Sequence, residues 1–327
     1  MKWMTKAFQY SVAGAAVALC AVSGGQALAQ GGLQDLKIVA PAAPGGGWDG
    51  ASRSLQQVLM ETKAVKAVQV VNVPGAGGTI GLAQFVNNAK GDGKQLMMMG
   101  ITMVGAVLTN KAPVGLQSVT PIARLTGDPL VVVVPANSKY KTLGDLAADL
   151  KADTSRVVWA GGSAGGADHI LAGLIAKAAG GNAAQLNYVP FSGGGEALAE
   201  MLGGRVSAGV SGYNEFESQI KAGKLRALAV STDKRMATAD VPTLKEQGLD
   251  VVLVNWRGIV AGPDVSDSQK QAFSAAIKAA VTSKQWTEIR TTRGWEDAYL
   301  DADKFASFLK HEQVQVKDVL SSIGLVK

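Results

Sequence analysis

The sequence predicts an α/β fold built from α/β sandwiches, and three observations carry that prediction. From Leu33 onward, short apolar runs alternate with longer segments of helical periodicity, the pattern of a sheet covered by helices. Several strand-to-helix junctions are clusters of glycine, which argues for tight loops with close backbone approach. The stretch 130–135 is a nearly continuous valine run that should be buried on both faces of a sheet.

Taken in order, 36–40 reads as a strand and 49–62 as a helix whose Ala51, Leu55, Val58 and Leu59 share a face, with Asp49 as its N-cap. Between them lies Pro41-Ala-Ala-Pro-Gly-Gly-Gly-Trp-Asp49. A strand that runs through glycines into a helix aims backbone N–H groups into the turn, and the helix dipole makes that turn favour an anion. The design repeats with a strand over 68–73, a turn through Gly75, Gly77 and Gly78, and a helix over 79–89. The strand 95–100 then ends at Ile101-Thr102-Met103, beside both loops if the sheet is parallel. Two further strands are expected over 119–123 and 130–135.

A second α/β series follows. It comprises strand 157–160, the loop Gly161 to Asp168, a helix to Ala179, strand 185–191, the turn Ser192 to Gly195 and helix 196–202. Strand 206–210, loop 211–213, helix 214–222 and strand 225–230 complete it. The stretch 251–261 is again strongly apolar around Asn255-Trp-Arg257. In the last helix Phe305, Phe308, Leu309, Val316, Val319, Leu320 and Ile323 share a face that would pack back on the first half of the chain.

Composition bounds the function. At 327 residues the chain can form two domains, and 47% hydrophobic with 18% charged residues is the balance of a globular protein. Lys2 and Lys6, the apolar run 10–22 and Ala27-Leu-Ala29 read as a cleaved export signal over 1–29, too short to span a membrane as a helix. The one cysteine, Cys20, lies inside it, and Leu19 stands where lipidation wants a small residue, so the mature chain is expected without lipid or thiol. That suits an oxidising compartment and excludes disulfides and thiolate metal sites. Removing Lys2 and Lys6 from a net +6 leaves +4, a mild field for anions, with no basic run that would bind nucleic acid.

Four glycine loops in the same setting, Gly45 to Asp49, Gly75 to Gly81, Gly161 to Asp168 and Ser192 to Gly195, would converge on one cleft at the carboxyl ends of the strands. Backbone N–H groups with the hydroxyls of Thr79, Ser163 and Ser192 could hold an anion there, at roughly 1.5–3 kcal/mol per charge-assisted bond. Trp48 is expected as a wall of the cleft. Gly161-Gly-Ser163-Ala-Gly165 also fits the nucleophile elbow of a serine esterase, the alternative reading. A triad then needs a histidine, yet His169 is too close in sequence and His311 falls on the solvent side of the last helix. Ile80 stands where a dinucleotide fingerprint needs glycine, no Walker lysine follows any loop, and two histidines make no metal constellation, so no cofactor, metal or catalytic residue is expected.

Pro44-Gly-Gly-Gly-Trp-Asp49, Asn72-Val-Pro-Gly-Ala-Gly-Gly-Thr79, Tyr188-Val-Pro-Phe-Ser-Gly-Gly-Gly195 with Leu202-Gly-Gly204, and Asp240-Val-Pro-Thr-Leu244 resemble the solute-binding proteins of tripartite tricarboxylate transporters. Within these Bug-type receptors the tricarboxylate-binding branch is the most similar. The resemblance implies a periplasmic, monomeric receptor with the two-lobe type II binding-protein fold and the ligand cleft between the lobes. Lobe 1 would comprise 30–129 and 258–327, and lobe 2 the inserted 130–257. It implies a small carboxylate as ligand and the membrane permease subunits of the transporter as partners. Family ligand contacts carry over onto Gly45, Gly46, Gly47, Trp48, Asp49, Gly77, Gly78, Thr79, Thr102, Gly162, Ser163, Gly165, Ser192, Gly193 and Gly194. Gly50 stands where relatives commonly have a polar residue, which leaves the identity of the carboxylate open.

Overall fold

The computed structural model describes residues 33–326; the expected export signal, with Cys20, lies outside the described residues. The described chain forms a curled mixed sheet with ten α-helices around it. In the first part, β1 (Leu33–Ala40) pairs in parallel with β2 (Val65–Asn72) and β3 (Gln95–Gly100). Helix α1 (Gly47–Glu61) connects β1 to β2, and α2 (Thr79–Asn88) connects β2 to β3. Helix α3 (Ile101–Thr109) begins immediately after the last residue of β3 without a loop, so Thr102 sits in a first helical turn.

The pair of strands expected over 119–123 and 130–135 is one continuous strand, β4 (Thr120–Pro135). Its partners change along its length. Residues up to Pro129 pair with β9 (Val254–Ala261), and residues from Leu130 pair with β7 (Ala208–Gly212). On its other edge it takes β10 (Glu296–Leu300) and then β8 (Leu225–Val230). Alternation along β4 splits the valine run as expected, with Leu130, Val132 and Val134 in one apolar core and Val131 and Val133 in another. None of the five has measurable exposure, because helices cover both faces.

The second series is β5 (Val158–Gly161), β6 (Asn187–Pro190) and β7, parallel to one another, in the order β7-β5-β6. They are preceded by α4 (Leu143–Ala152) and connected by α5 (Ala167–Ala178) and α6 (Gly194–Leu202). Thr142 and Asp145 form a reciprocal capping box that starts α4. The expected loop 211–213 is absent: β7 runs through Gly212 directly into α7 (Tyr213–Lys221). After β9 come α8 (Asp267–Val281), α9 (Lys284–Thr292), β10 and α10 (Ala302–Ser322).

The apolar face of α10 packs against β4 and α3 and extends to α5, where Ile323 lies over Gly173. Phe305 is fully buried beside Gly258 of β9, and the Trp256 ring meets it edge to face at 5.7 Å. A side chain at 258 would collide with Phe305, so the glycine is what lets α10 approach the sheet. Removing that ring should therefore open a cavity at the centre of the molecule. Phe305→Ala should destabilise the protein by about 3–5 kcal/mol, read as a lower urea midpoint at unchanged slope.

Candidate functional site

A cavity of about 390 Å³ opens where the carboxyl ends of β1, β2 and β3 meet those of β5, β6 and β7. Parallel strands followed by helices place every such loop on one side of the sheet, which is why segments 120 residues apart in sequence share one wall. Eleven of the residues expected at the site line it: Gly46, Gly47, Trp48, Gly77, Gly78, Thr102, Gly162, Ser163, Ser192, Gly193 and Gly194. Gly45, Asp49, Thr79 and Gly165 do not line it.

The reason is specific in each case. Asp49 is not an N-cap: Gly46 holds that position and Asp49 is the third residue of α1, 4% exposed. Its carboxylate accepts the Gly45 N–H (2.9 Å), the Arg53 guanidinium (3.0 Å) and the Asn72 amide (2.8 Å), which ties the loop to β2. Burial alone would raise the Asp49 carboxyl, but these bonds outweigh it and hold it below the usual range. Thr79 opens α2 and donates its hydroxyl to the Ala76 carbonyl (2.9 Å). Gly165, at φ +70°, turns the loop so that its carbonyl faces α3 at Gly105, where a Cβ would lie only 2.0 Å from that oxygen.

Two more loops use the same device as the first. Asp168, in the first turn of α5, accepts the Gly162 N–H at 2.7 Å, and Glu196, in the first turn of α6, accepts the Ser192 N–H at 2.9 Å. The Ala167 N–H donates to the Thr102 hydroxyl at 3.2 Å, a bond from the second series to α3 of the first. What faces the cavity is then the remaining polar edge of each loop, including the first N–H groups of α1 that no intrahelical carbonyl reaches. Gly47 is a tight point: a Cβ there would sit 2.4 Å from Arg257 Nη2 and 3.5 Å from Glu215 Oε1. Trp48 forms part of the wall with its ring against Gly78, whose φ of +87° and contact at 2.8 Å leave room only for hydrogen.

The nucleophile elbow lacks the partner it would need. Ser163 follows β5 and precedes α5, but the His169 Nδ1 accepts the Gly165 N–H (3.2 Å) while its ring stacks on Tyr188 at 4.0 Å. Burial drives that imidazole down to about 4, away from the range of a general base. His311 bonds to the Ser307 carbonyl of its own helix on the exposed side of α10.

This architecture has known counterparts. The model of the tripartite tricarboxylate transporter family receptor matches residues 52–325. The chain belongs to that receptor family. BugT of Bordetella pertussis is 28% identical over 295 residues, covering 88% of this chain and 89% of its own. The structure of the periplasmic binding protein BugD superposes with a TM-score of 0.80 at 24% identity, over 90% of this chain and 99% of that one. MatC from Rhodopseudomonas palustris, solved with bound malate, gives a TM-score of 0.77 at 22% identity, over 88% and 99%. The fold is the two-lobe binding-protein type, and this chain is a solute-binding receptor.

The receptor also has a charged wall that sequence reading missed. Arg257 of β9, Asp168 of α5 and Glu215 of α7 line the cavity, with Asn255, Ser211 and Glu196. Arg257 is 2% exposed and its Nη2 donates to Asp128 Oδ2 of β4 at 2.6 Å. Burial raises the carboxyl of Asp128, which the guanidinium only partly offsets. Burial likewise pushes Asp168 up to about 7, against the Gly162 N–H and with the neighbouring Glu215 and Asp128 charges adding to it. Glu215 is raised by burial and by Asp128. The available signal was an arginine in the apolar run 251–261 and an aspartate just before the valine run, since an isolated charge in a buried strand requires a partner.

Two outcomes follow from this geometry. Gly47→Ala should destabilise the receptor by about 1–3 kcal/mol through overpacking against Arg257, whereas Gly46→Ala, whose Cβ would lie 3.2 Å from the Ala43 carbonyl, should cost far less in the same thermal melts. Asp168, raised in the folded state, binds its proton more tightly folded than unfolded. Its stabilising contribution is complete below the unfolded value near 3.8 and is lost as pH rises through about 7. His169 acts oppositely over part of the same window, so the comparison is between variant and parent: Asp168→Asn should flatten the fall in stability between pH 4 and 7 in urea titrations.

Proposed function

We propose that the protein is a periplasmic receptor that captures a small carboxylate, a citrate-like tricarboxylate or a dicarboxylate, and delivers it to the permease of a tripartite tricarboxylate transporter. The observation that carries this reading is the convergence of glycine loops from both series on one cavity of about 390 Å³, the size of a small-molecule site. One ligand carboxylate rests on Gly46, Gly47, Trp48, Gly77 and Gly78, and the other end meets Ser163, Ser192, Gly193 and Gly194. Arg257 supplies the buried cation that the loops lack.

The lobes in this reading are 30–129 with 258–327, and 130–257. The change of β4 partners at Pro129 and Leu130 supports the first boundary, and β9 carries the chain back. Closure of the lobes about these strands excludes water, and the permease reads the closed, monomeric form. Malate in MatC supports a dicarboxylate among the ligands. The serine esterase reading has the strand, turn and helix of its elbow, but the engagement of His169 with Gly165 and Tyr188 counts against it.

Thermal melts against citrate, malate, succinate and other di- and tricarboxylates test the proposal. A true ligand at about 100 times its dissociation constant should stabilise the receptor by roughly 2.7 kcal/mol. A panel in which no carboxylate raises the melting temperature overturns it.

A further inference from the structure

Acidic side chains share the cavity wall with Arg257. Three carboxylates, Asp128, Asp168 and Glu215, surround the buried guanidinium of Arg257, and among the described residues the only ion pair of Arg257 is with Asp128. Asp168 is 9% exposed, lines the cavity, and accepts one backbone N–H. Glu215 lines it too and is held by the Ser211 hydroxyl at 3.1 Å and the Gly194 N–H. Neither acid has a cationic partner among the described ion pairs. Beside them Arg257 Nη1 is buried without any hydrogen-bond partner.

These features are complementary to opposite ends of one molecule. An unused guanidinium N–H wants an acceptor, and leaving it unmet is costly. Two buried carboxylates held only by neutral donors want a cation. Gly47 marks how close the two lie, since the space at its missing Cβ borders both Arg257 Nη2 and Glu215 Oε1. A second or third ligand carboxylate placed against Asp168 and Glu215 would add like charge in a low-dielectric pocket, whereas an ammonium group there would neutralise it.

We propose that Asp168 and Glu215 form an ammonium subsite, so that the ligand is a zwitterionic amino-carboxylate whose carboxylate meets the Arg257 guanidinium and the first N–H groups of α1. This rests on the carboxylate-receptor reading and narrows its ligand class. The serines and glycines of the second series then meet the remainder of the ligand, including a second carboxylate at its far end. Glu215 and Asp168 set specificity through charge; the glycine loops set size.

Calorimetric titration of the intact mature protein with matched pairs tests it, using succinate, malate and aspartate on one four-carbon skeleton, glutarate and glutamate on the next, and citrate. The expected result is that the amino member of a pair binds at least about tenfold tighter than its parent diacid, the scale of one charge-assisted bond. Glu215→Gln and Asp168→Asn, both nearly isosteric, should each erase that preference, read as the ratio of amino-member to parent-diacid affinity within one variant, with thermal melts verifying the fold. Diacids, malate or citrate binding as tightly as the amino members, or a preference untouched by both variants, overturns the ammonium subsite and leaves the carboxylate receptor standing. Binding of none of the panel overturns both.

Discussion

The ion pair between Arg257 and Asp128 is the interaction on which the rest of the structure depends. Both side chains are almost wholly buried, at 3% and 1%, so each charge is tolerable only because the other is there. They lie on β9 and β4, the strands that link the two series of parallel strands, just before β4 exchanges β9 for β7. Removing one partner alone would leave an uncompensated charge inside the sheet, a loss of about 3–5 kcal/mol. The pair thus joins strand pairing to the cavity, because the same guanidinium that pairs with Asp128 also forms the cavity wall against Gly47.

Around that pair the loops follow one construction. A strand ends in glycines, a helix begins, and an acid in its first turn turns back to accept a loop N–H, as in Asp49 with Gly45, Asp168 with Gly162 and Glu196 with Ser192. The helix dipole favours an acid in that position. Each acid fixes its loop before any ligand arrives, which reduces the ordering cost of binding. The consequence is that part of each loop's donor capacity is already used, and that two of these acids, Asp168 and Glu196, stand in the cavity wall. Close contacts such as Gly105 with the Gly165 carbonyl and Thr102 with the Ala167 N–H bring the two series together at the rim.

Much of this was legible in the chain. Period-2 and period-3.6 patterning located most of the strands and helices, and glycine clusters marked the strand-to-helix loops that line the cavity. The misses have physical causes. Residues 124–129 include a glycine and a proline, which read as a break between two strands, yet pairing on both edges with β9 and β10 holds them extended within β4. Ile101–Thr109 starts with no polar cap or loop to announce it, since β3 delivers the chain directly into the helix, and β7 enters the expected helix α7 in the same way, without the loop expected over 211–213. Asp49 has the composition of an N-cap but sits three residues later, because Gly46 takes the extended conformation the cap requires.

The sequence by itself determined the α/β class, the order of the two series, the family likeness and the backbone loops of the site. All of these rest on local patterns of apolar spacing and glycine, which the chain carries wherever it folds. Only the tertiary structure decided which charges gather at and behind the cavity wall. Asp128, Asp168, Glu215 and Arg257 are spread over 130 positions on four different elements, and no local pattern relates them. Their proximity follows from β4 and β9 crossing between the two series, and burial there changes what each charge does.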